Sequence, residues 1–308
     1  MAEASRTEPD SPNAAERRPS GFTSFAQRRP ITAFLVGALG IGLPLLMIPA
    51  IAGIPLMPFL LPMTFIGFLG SALVVTHLAG GPGAVRRLLS RLLIWRFSVA
   101  RWAVIVFAMP VLVVALAAVS GTLEGPEGGW GSVVGDSLLF TFISGLLLIN
   151  LWEETAWSGF MQSRTMERHG LLVASLLTAL PVAVYHVPLS FEGDWTWSEA
   201  GSGLALVFGL APFYRYLLGM HLLDTGGSLL AVAIQHASWN AANNLGVFSG
   251  IWQPGGAVVL LTVLLAVGRR LWRRERHPIG RRSEEAAARR WLARPVAGAG
   301  AQGPDMSP

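Results

Sequence analysis

Between residues 31 and 271 the chain runs repeatedly for about twenty residues almost without charge, the length a helix needs to cross a bilayer. Eight such stretches stand out, at 31–53, 57–79, 99–120, 134–160, 170–189, 203–219, 227–247 and 252–271. The sixth is short and contains Pro212, so seven spans is the competing count. Composition supports the same class: 52% of residues are hydrophobic and 13% charged, where soluble domains carry about 25% charged residues. The expected fold is all-α, a polytopic transmembrane helix bundle in a cell membrane.

Loop charge tests the count, because cytoplasmic loops of membrane proteins are enriched in Lys and Arg. All 23 basic residues here are arginine. With the N-terminus inside, the inner segments are 1–30, 80–98, 161–169, 215–226 and the C-terminal tail. Every arginine falls on that side once Arg101 and Arg215 are counted as helix ends. The outer loops carry acids instead: Glu124 and Glu127, then Glu192, Asp194 and Glu199. Eight spans with both termini in the cytoplasm is the expectation, with residues 121–133 and 190–202 outside. Trp130, Trp195, Trp197 and Trp252 fit an interfacial aromatic belt.

The chain thus divides into a disordered N-terminal segment (1–30), a transmembrane domain (31–272) and a basic, then disordered, tail (273–308). The net charge of +5 sits beside apolar spans rather than on a nucleic-acid motif, so nucleic acid is not an expected partner. With no cysteine, neither disulfides nor thiolate chemistry is available.

Ionisable residues inside spans are costly, and therefore informative. Glu153 and Glu154 lie in the fourth span, His186 in the fifth, and His236 in the seventh with Asn240 and Asn243. A single buried histidine is commonly a helix–helix hydrogen bond. Two adjacent glutamates are harder to explain by packing, since both lose hydration and they repel each other. The fourth and fifth spans form a hairpin turning at His169–Gly170. Glu153 precedes His169 by 16 residues and His186 follows Gly170 by 16, which puts the two at one depth. His236 and Asn240, four apart, share a helix face. His236 is only nine residues past Gly227, so a simple ruler sets it shallower than Glu153 unless its helix starts deeper or tilts.

Two carboxylates, two imidazoles and an amide have three chemistries open to them. They can bind a metal such as zinc and activate water. They can hold water between a glutamate base and donors that stabilise an oxyanion. Or they can pass protons or ions. The soluble zinc-protease signature of two histidines one turn apart around a glutamate is absent.

The stretches "EETAWSGFMQSR", "VAVYHVP" and "TGGSLLAVAIQHASWNAANN" resemble the three motifs of the CPBP intramembrane proteases, the family of the CAAX prenyl endopeptidases and the Abi bacteriocin-immunity proteins. Its pattern is EExxxR, FxxxH and HxxxN or HxxxD on an eight-helix core, and the similarity runs from about Trp152 to Asn244. The resemblance implies hydrolysis of a peptide bond in a membrane-associated protein or peptide. Glu153 and Glu154 match the glutamate pair, His186 the second motif, His236 and Asn240 the third. The first glutamate would activate water, and the histidines and asparagine would bind metal or the oxyanion. The metal alternative takes Glu153, His186 and His236 as ligands to Zn2+ or another divalent ion.

Two positions depart from the pattern: Ser158 replaces the motif arginine and Val182 the phenylalanine. A buried guanidinium would pair with a carboxylate, so its loss predicts that Glu154 is more readily protonated and shares a hydrogen bond with Ser158, with Arg215 as a cation that could reach inward instead. Two other functions compete with an active protease: a catalytically silent relative acting in immunity or partner binding, and a proton-coupled transporter. An arginine-only, Gly/Ala/Pro-rich composition points to a GC-rich bacterial genome and an inner-membrane location, where a prenylated substrate is not expected.

Overall fold

A computed structural model describes residues 21–126 and 128–276, with side chains through Leu271. Helices account for almost all of it. Among the described residues the sole extended pairing is a single bridge between Leu123 and Phe248. A short helix α1 (Gly21–Arg28) leads into α2 (Pro30–Ala52), α3 (Met57–Gly80) and the short α4 (Pro82–Ser90). Then come α5 (Val99–Val119), α6 (129–169), α7 (171–186), α8 (Trp197–Asp224), α9 (Leu229–Asn243) and α10 (Trp252–Arg276). Part of the 1–30 segment expected to be disordered is therefore helical: Phe25 and Ala26 of α1 pack into the core, and Gln27 donates to the Leu78 carbonyl. The remainder, 1–20, lies outside the described residues, as does 277–308.

Among the described residues six stretches are long and apolar enough to cross a membrane. One of them, Gly129–Phe191, spans 63 residues and reverses at Gly170, whose φ of 74° is open to glycine at little cost. Helix α9 has 15 residues, fewer than the roughly 20 of a full crossing. Helix α8 continues through Pro212 without a break, so the proline does not divide the sixth segment. Loop contacts sort onto two ends. At one end Glu192 accepts from the Leu56 amide, and the 122–124 backbone bonds Val247 and Ser249. At the other, Arg91 bonds Gly227, and Arg101 and Arg269 bond Asp224. These pairings gather the loops into two sets, one at each end of the bundle.

The surface is apolar and the interior holds polar groups, the reverse of a soluble domain. Val36, Ile48, Val74, Phe107, Val111 and Leu180 are exposed, while Thr64, Asn150, Glu154, Gln162, Arg215 and Gln235 are buried. Small residues let helices meet: a Cβ on Gly67 would come within 2.7 Å of the Gly42 Cα, so α2 and α3 touch backbone to backbone there. An aromatic cluster then ties α6 to its neighbours. Trp157 packs edge-on against Phe34 and Phe68 and stacks on Tyr185 at 5.4 Å between ring centres. That cluster fixes the helix carrying the glutamates.

Candidate active site

Just past the glutamates, Thr155–Gln162 winds in the wider i→i+5 turns that recur at functional sites. Glu154 just before this stretch and Ser158 and Gln162 within it, four residues apart, are all buried. They converge on Arg215 of α8, itself 1% exposed. Arg215 Nη1 donates to both carboxylate oxygens of Glu154 at 3.1 Å. Its Nη2 donates to Ser158 Oγ at 2.7 Å and Gln162 Oε1 at 2.8 Å. Gln162 returns a bond to the Arg215 carbonyl at 2.8 Å and another to Ser175 Oγ at 3.1 Å, and Ser158 donates to Glu154. Gly219, one turn on, allows this approach, since a Cβ there would sit 2.6 Å from Gln162 Nε2.

Of the two alternatives left by the lost motif arginine, Arg215 is the one that reaches inward to Glu154. The shared hydrogen bond with Ser158 is present, but the missing charge comes from another helix. Serine in place of the motif arginine leaves the space that the Arg215 guanidinium enters. Counting Arg215 as a helix end places it too near the inner side, because the sixth span was ended at 219. The helix runs on to Asp224, which places Arg215 inside the bundle.

His236 completes the carboxylate's coordination. Its Nδ1 lies 2.9 Å from Glu154 Oε1. The simple ruler had set it too shallow, and Arg91 shows why. The Arg91 guanidinium bonds the Gly227 carbonyl, the Gly159 carbonyl and Ser163 Oγ at 3.0–3.2 Å. The turn before α9 thus starts at the level of Gly159–Ser163, not at the hairpin tip. His236 follows Gly227 by nine residues and Glu154 precedes Ser163 by nine, so the two arrive together. Burial, then the charge of Arg164, lowers the Arg91 pKa to about 9, and Glu167 pulls it the other way. Nothing in the sequence separated Arg91 from the topology arginines around it.

The hairpin register is set by the Trp157–Tyr185 stack and the Gln162–Ser175 bond. Continuing outward brings the glutamates level with His186. Glu154, His186 and His236 line one cavity of about 100 Å³ with Tyr214 and Trp239. His186 Nδ1 is 2.8 Å from the Val182 carbonyl. A carbonyl only accepts, so Nδ1 carries the proton, and Nε2 of the neutral ring keeps a lone pair.

Glu153 and Asn240 stand differently. Neither is among the residues lining that cavity. Glu153 is 5% exposed, and its carboxylate makes no hydrogen bond to a described residue, though it lies within electrostatic range of His236 and Arg215. Asn240 is half-buried, one turn beyond His236, and its side-chain amide is likewise uncommitted. Among the described residues no three His, Asp or Glu side chains converge as a metal set. The expected ligands Glu153, His186 and His236 are thus not gathered as a set that fits a divalent ion.

Comparison with known families finds that residues 135–242 match the model described as type II CAAX prenyl endopeptidase Rce1-like. That segment holds Glu153, Glu154, His186, Arg215, His236 and Asn240. Comparison with curated proteins gives no match.

Proposed function

We propose that this chain, which over residues 135–242 belongs to the CPBP and CAAX protease family, is an intramembrane endopeptidase that cleaves a membrane-associated protein or peptide with glutamate-activated water. One observation carries the reading: the two adjacent glutamates have unequal commitments. Glu154 is held by a guanidinium, an imidazole and a hydroxyl, whereas the Glu153 carboxylate bonds no described side chain. A general base must be free to take a proton. Glu153 fills that role and Glu154 fixes the frame around it.

In this mechanism a water held at the Glu153 carboxylate donates a hydrogen to it, and His186 Nε2, with its lone pair, faces the substrate from the cavity wall. Glu153 takes its proton as the water oxygen attacks the scissile carbonyl. The C–N bond then breaks and Glu153 returns the proton to the leaving amine. Asn240, with its amide uncommitted, donates to the tetrahedral oxyanion. His236, held by Glu154, bounds the site. No step is drawn through a metal, because the donors do not converge as a metal set.

The silent-relative alternative drew its main support from the absent motif arginine. Arg215 supplies a guanidinium at Ser158 and removes that support. A bacterial inner membrane and a non-prenylated substrate remain part of this proposal.

The test compares membrane proteomes of cells carrying wild type, Glu153→Gln and Glu154→Gln, followed by cleavage of the identified substrate in proteoliposomes. Glu153→Gln is expected to abolish cleavage while the protein keeps its stability. Glu154→Gln is expected to lose stability together with activity. Full cleavage by Glu153→Gln would end the assignment.

A further inference from the structure

A second cluster of charge lies away from this site, where α5, α8 and α10 meet at the arginine-rich end of the bundle. A cavity of about 440 Å³ there is lined by Arg101, His221, Asp224 and Arg269 on its polar side and by Leu264 and Leu265 on its apolar side. We propose that this cleft binds the phosphate headgroup of an anionic phospholipid, with the acyl chains against the leucines.

The charges favour an anion. Arg101 Nη1 meets Asp224 Oδ2 at 3.0 Å, and Arg269 Nη1 pairs with Oδ1 of the same carboxylate. Two guanidiniums against one carboxylate leave one positive charge. Among the described residues every side-chain bond of these two arginines runs from Nη1. Each guanidinium has five N–H donors in a planar fork suited to phosphate. Asp224 holds both heads at the cavity without using the rest of their donors.

His221 is the independent observation. It is 2% exposed, lines the same cavity, and its Nε2 has no hydrogen-bond partner. A buried polar atom left without a partner is costly, and His221 belongs to the wall of this cavity, so a ligand seated against it can supply that partner. A phosphate oxygen would accept from it. The first turn of α5 adds to the field: Ser98 caps this 21-residue helix, and Ser98 and Ala100 both line the cavity, where first-turn amides have no intrahelical acceptor.

The surroundings select a lipid over a free anion. Leu264 is half exposed on the outer face of α10, so the cleft opens beside a surface suited to acyl chains. Basic pockets between helices on the cytoplasmic side are where anionic headgroups gather. A zwitterionic lipid would bring a cation of its own to a site that already carries one. The proposal does not depend on the protease reading.

The test uses the full-length protein in nanodiscs of phosphatidylcholine with or without phosphatidylglycerol. The readouts are lipid retention by native mass spectrometry and the midpoint of thermal unfolding. Phosphatidylglycerol is expected to be retained and to raise the midpoint. Arg101→Gln and Arg269→Gln should each weaken retention about fivefold, from the known contribution of one basic residue near an anionic membrane. Asp224→Asn removes the competing anion and keeps both arginines, so retention should equal or exceed wild type, an outcome a purely structural ion pair would not give. Retention unchanged in the double arginine variant would overturn the proposal. If that variant does not fold, weaker retention by Asp224→Asn overturns it instead. Inorganic phosphate added to phosphatidylcholine nanodiscs should leave the midpoint where it is. An equal rise would assign the cleft to a free anion and overturn the lipid.

Discussion

Two carboxylates in this bundle meet guanidinium groups, and the two clusters are built differently. Glu154 and Arg215 lie at the centre with side chains 1% and 2% exposed. Asp224, Arg101 and Arg269 lie at one end with side chains 18–32% exposed. In the central cluster Ser158, Gln162, Ser175 and His236 close the network around the pair, and among the described residues Arg215 Nε is its one fully buried polar atom left without a partner. In the peripheral cluster most arginine donors are left over. The same ion pair is thus a fixed frame where it is dry and a receptive surface where it is wet. Burial raises the cost of leaving either partner alone, so the dry pair is held by a network and the wet one need not be.

The largest effect expected from this difference is on Arg215→Ala. Removing one partner of a buried pair costs about 3–5 kcal/mol, because the other charge stays behind. Denaturant titration in detergent should show a loss of that order. A loss below about 1 kcal/mol would mean that the central pair behaves like a surface one and that the comparison fails. The double variant Ser158→Arg with Arg215→Ser moves the arginine to the motif position. It should recover most of the stability that Arg215→Ser loses alone, a coupling that a double-mutant cycle isolates. No recovery would show that the two positions are not interchangeable.

A smaller loss is expected from Gln162→Leu. The change keeps bulk but leaves the Arg215 carbonyl, Ser175 Oγ and one guanidinium donor without their partner. Unsatisfied buried groups cost about 1–3 kcal/mol, so the same titration should place this variant between wild type and Arg215→Ala. A loss as large as that of Arg215→Ala would make the glutamine, rather than the ion pair, the centre of the network.

These clusters also mark what the sequence could reveal. Apolar runs and arginine placement were enough for an all-helical membrane bundle, because both signals are properties of segments. Glu153, Glu154, His186 and His236 were legible because charge in an apolar run is rare. Arg215 was legible only as a helix end, because the span was ended at 219, whereas the helix runs five residues further to Asp224 and carries Arg215 inside the bundle. Arg91 was hidden for a related reason, since an arginine that clamps a turn and one that meets lipid headgroups look alike in a string. The depth of His236 depended on that clamp, and local spacing could not supply it. Arg101 and Asp224 are far apart in sequence, so their pairing belongs to the packing of both α5 and α8 on α10.

The smallest effect sharpens the comparison furthest, because it separates the clusters by solvent rather than by partner. Arg101→Gln removes one of two guanidiniums from a partly exposed carboxylate, and Arg269 remains to pair with it. Such pairs contribute about 0.2–1 kcal/mol, and the loss should be at the lower end in zwitterionic detergent at low salt. At 1 M salt the screening length falls to about 3 Å, comparable to the 3.0 Å contact itself, so the difference between Arg101→Gln and wild type should nearly vanish. The penalty for Arg215→Ala should persist at both salt concentrations, since ions do not reach a pair whose side chains are 1–2% exposed. Unfolding curves for the two variants at low and high salt read this directly. Equal salt sensitivity would mean that water and ions reach the central cluster, and the frame proposed for Glu153 would then be no drier than the surface.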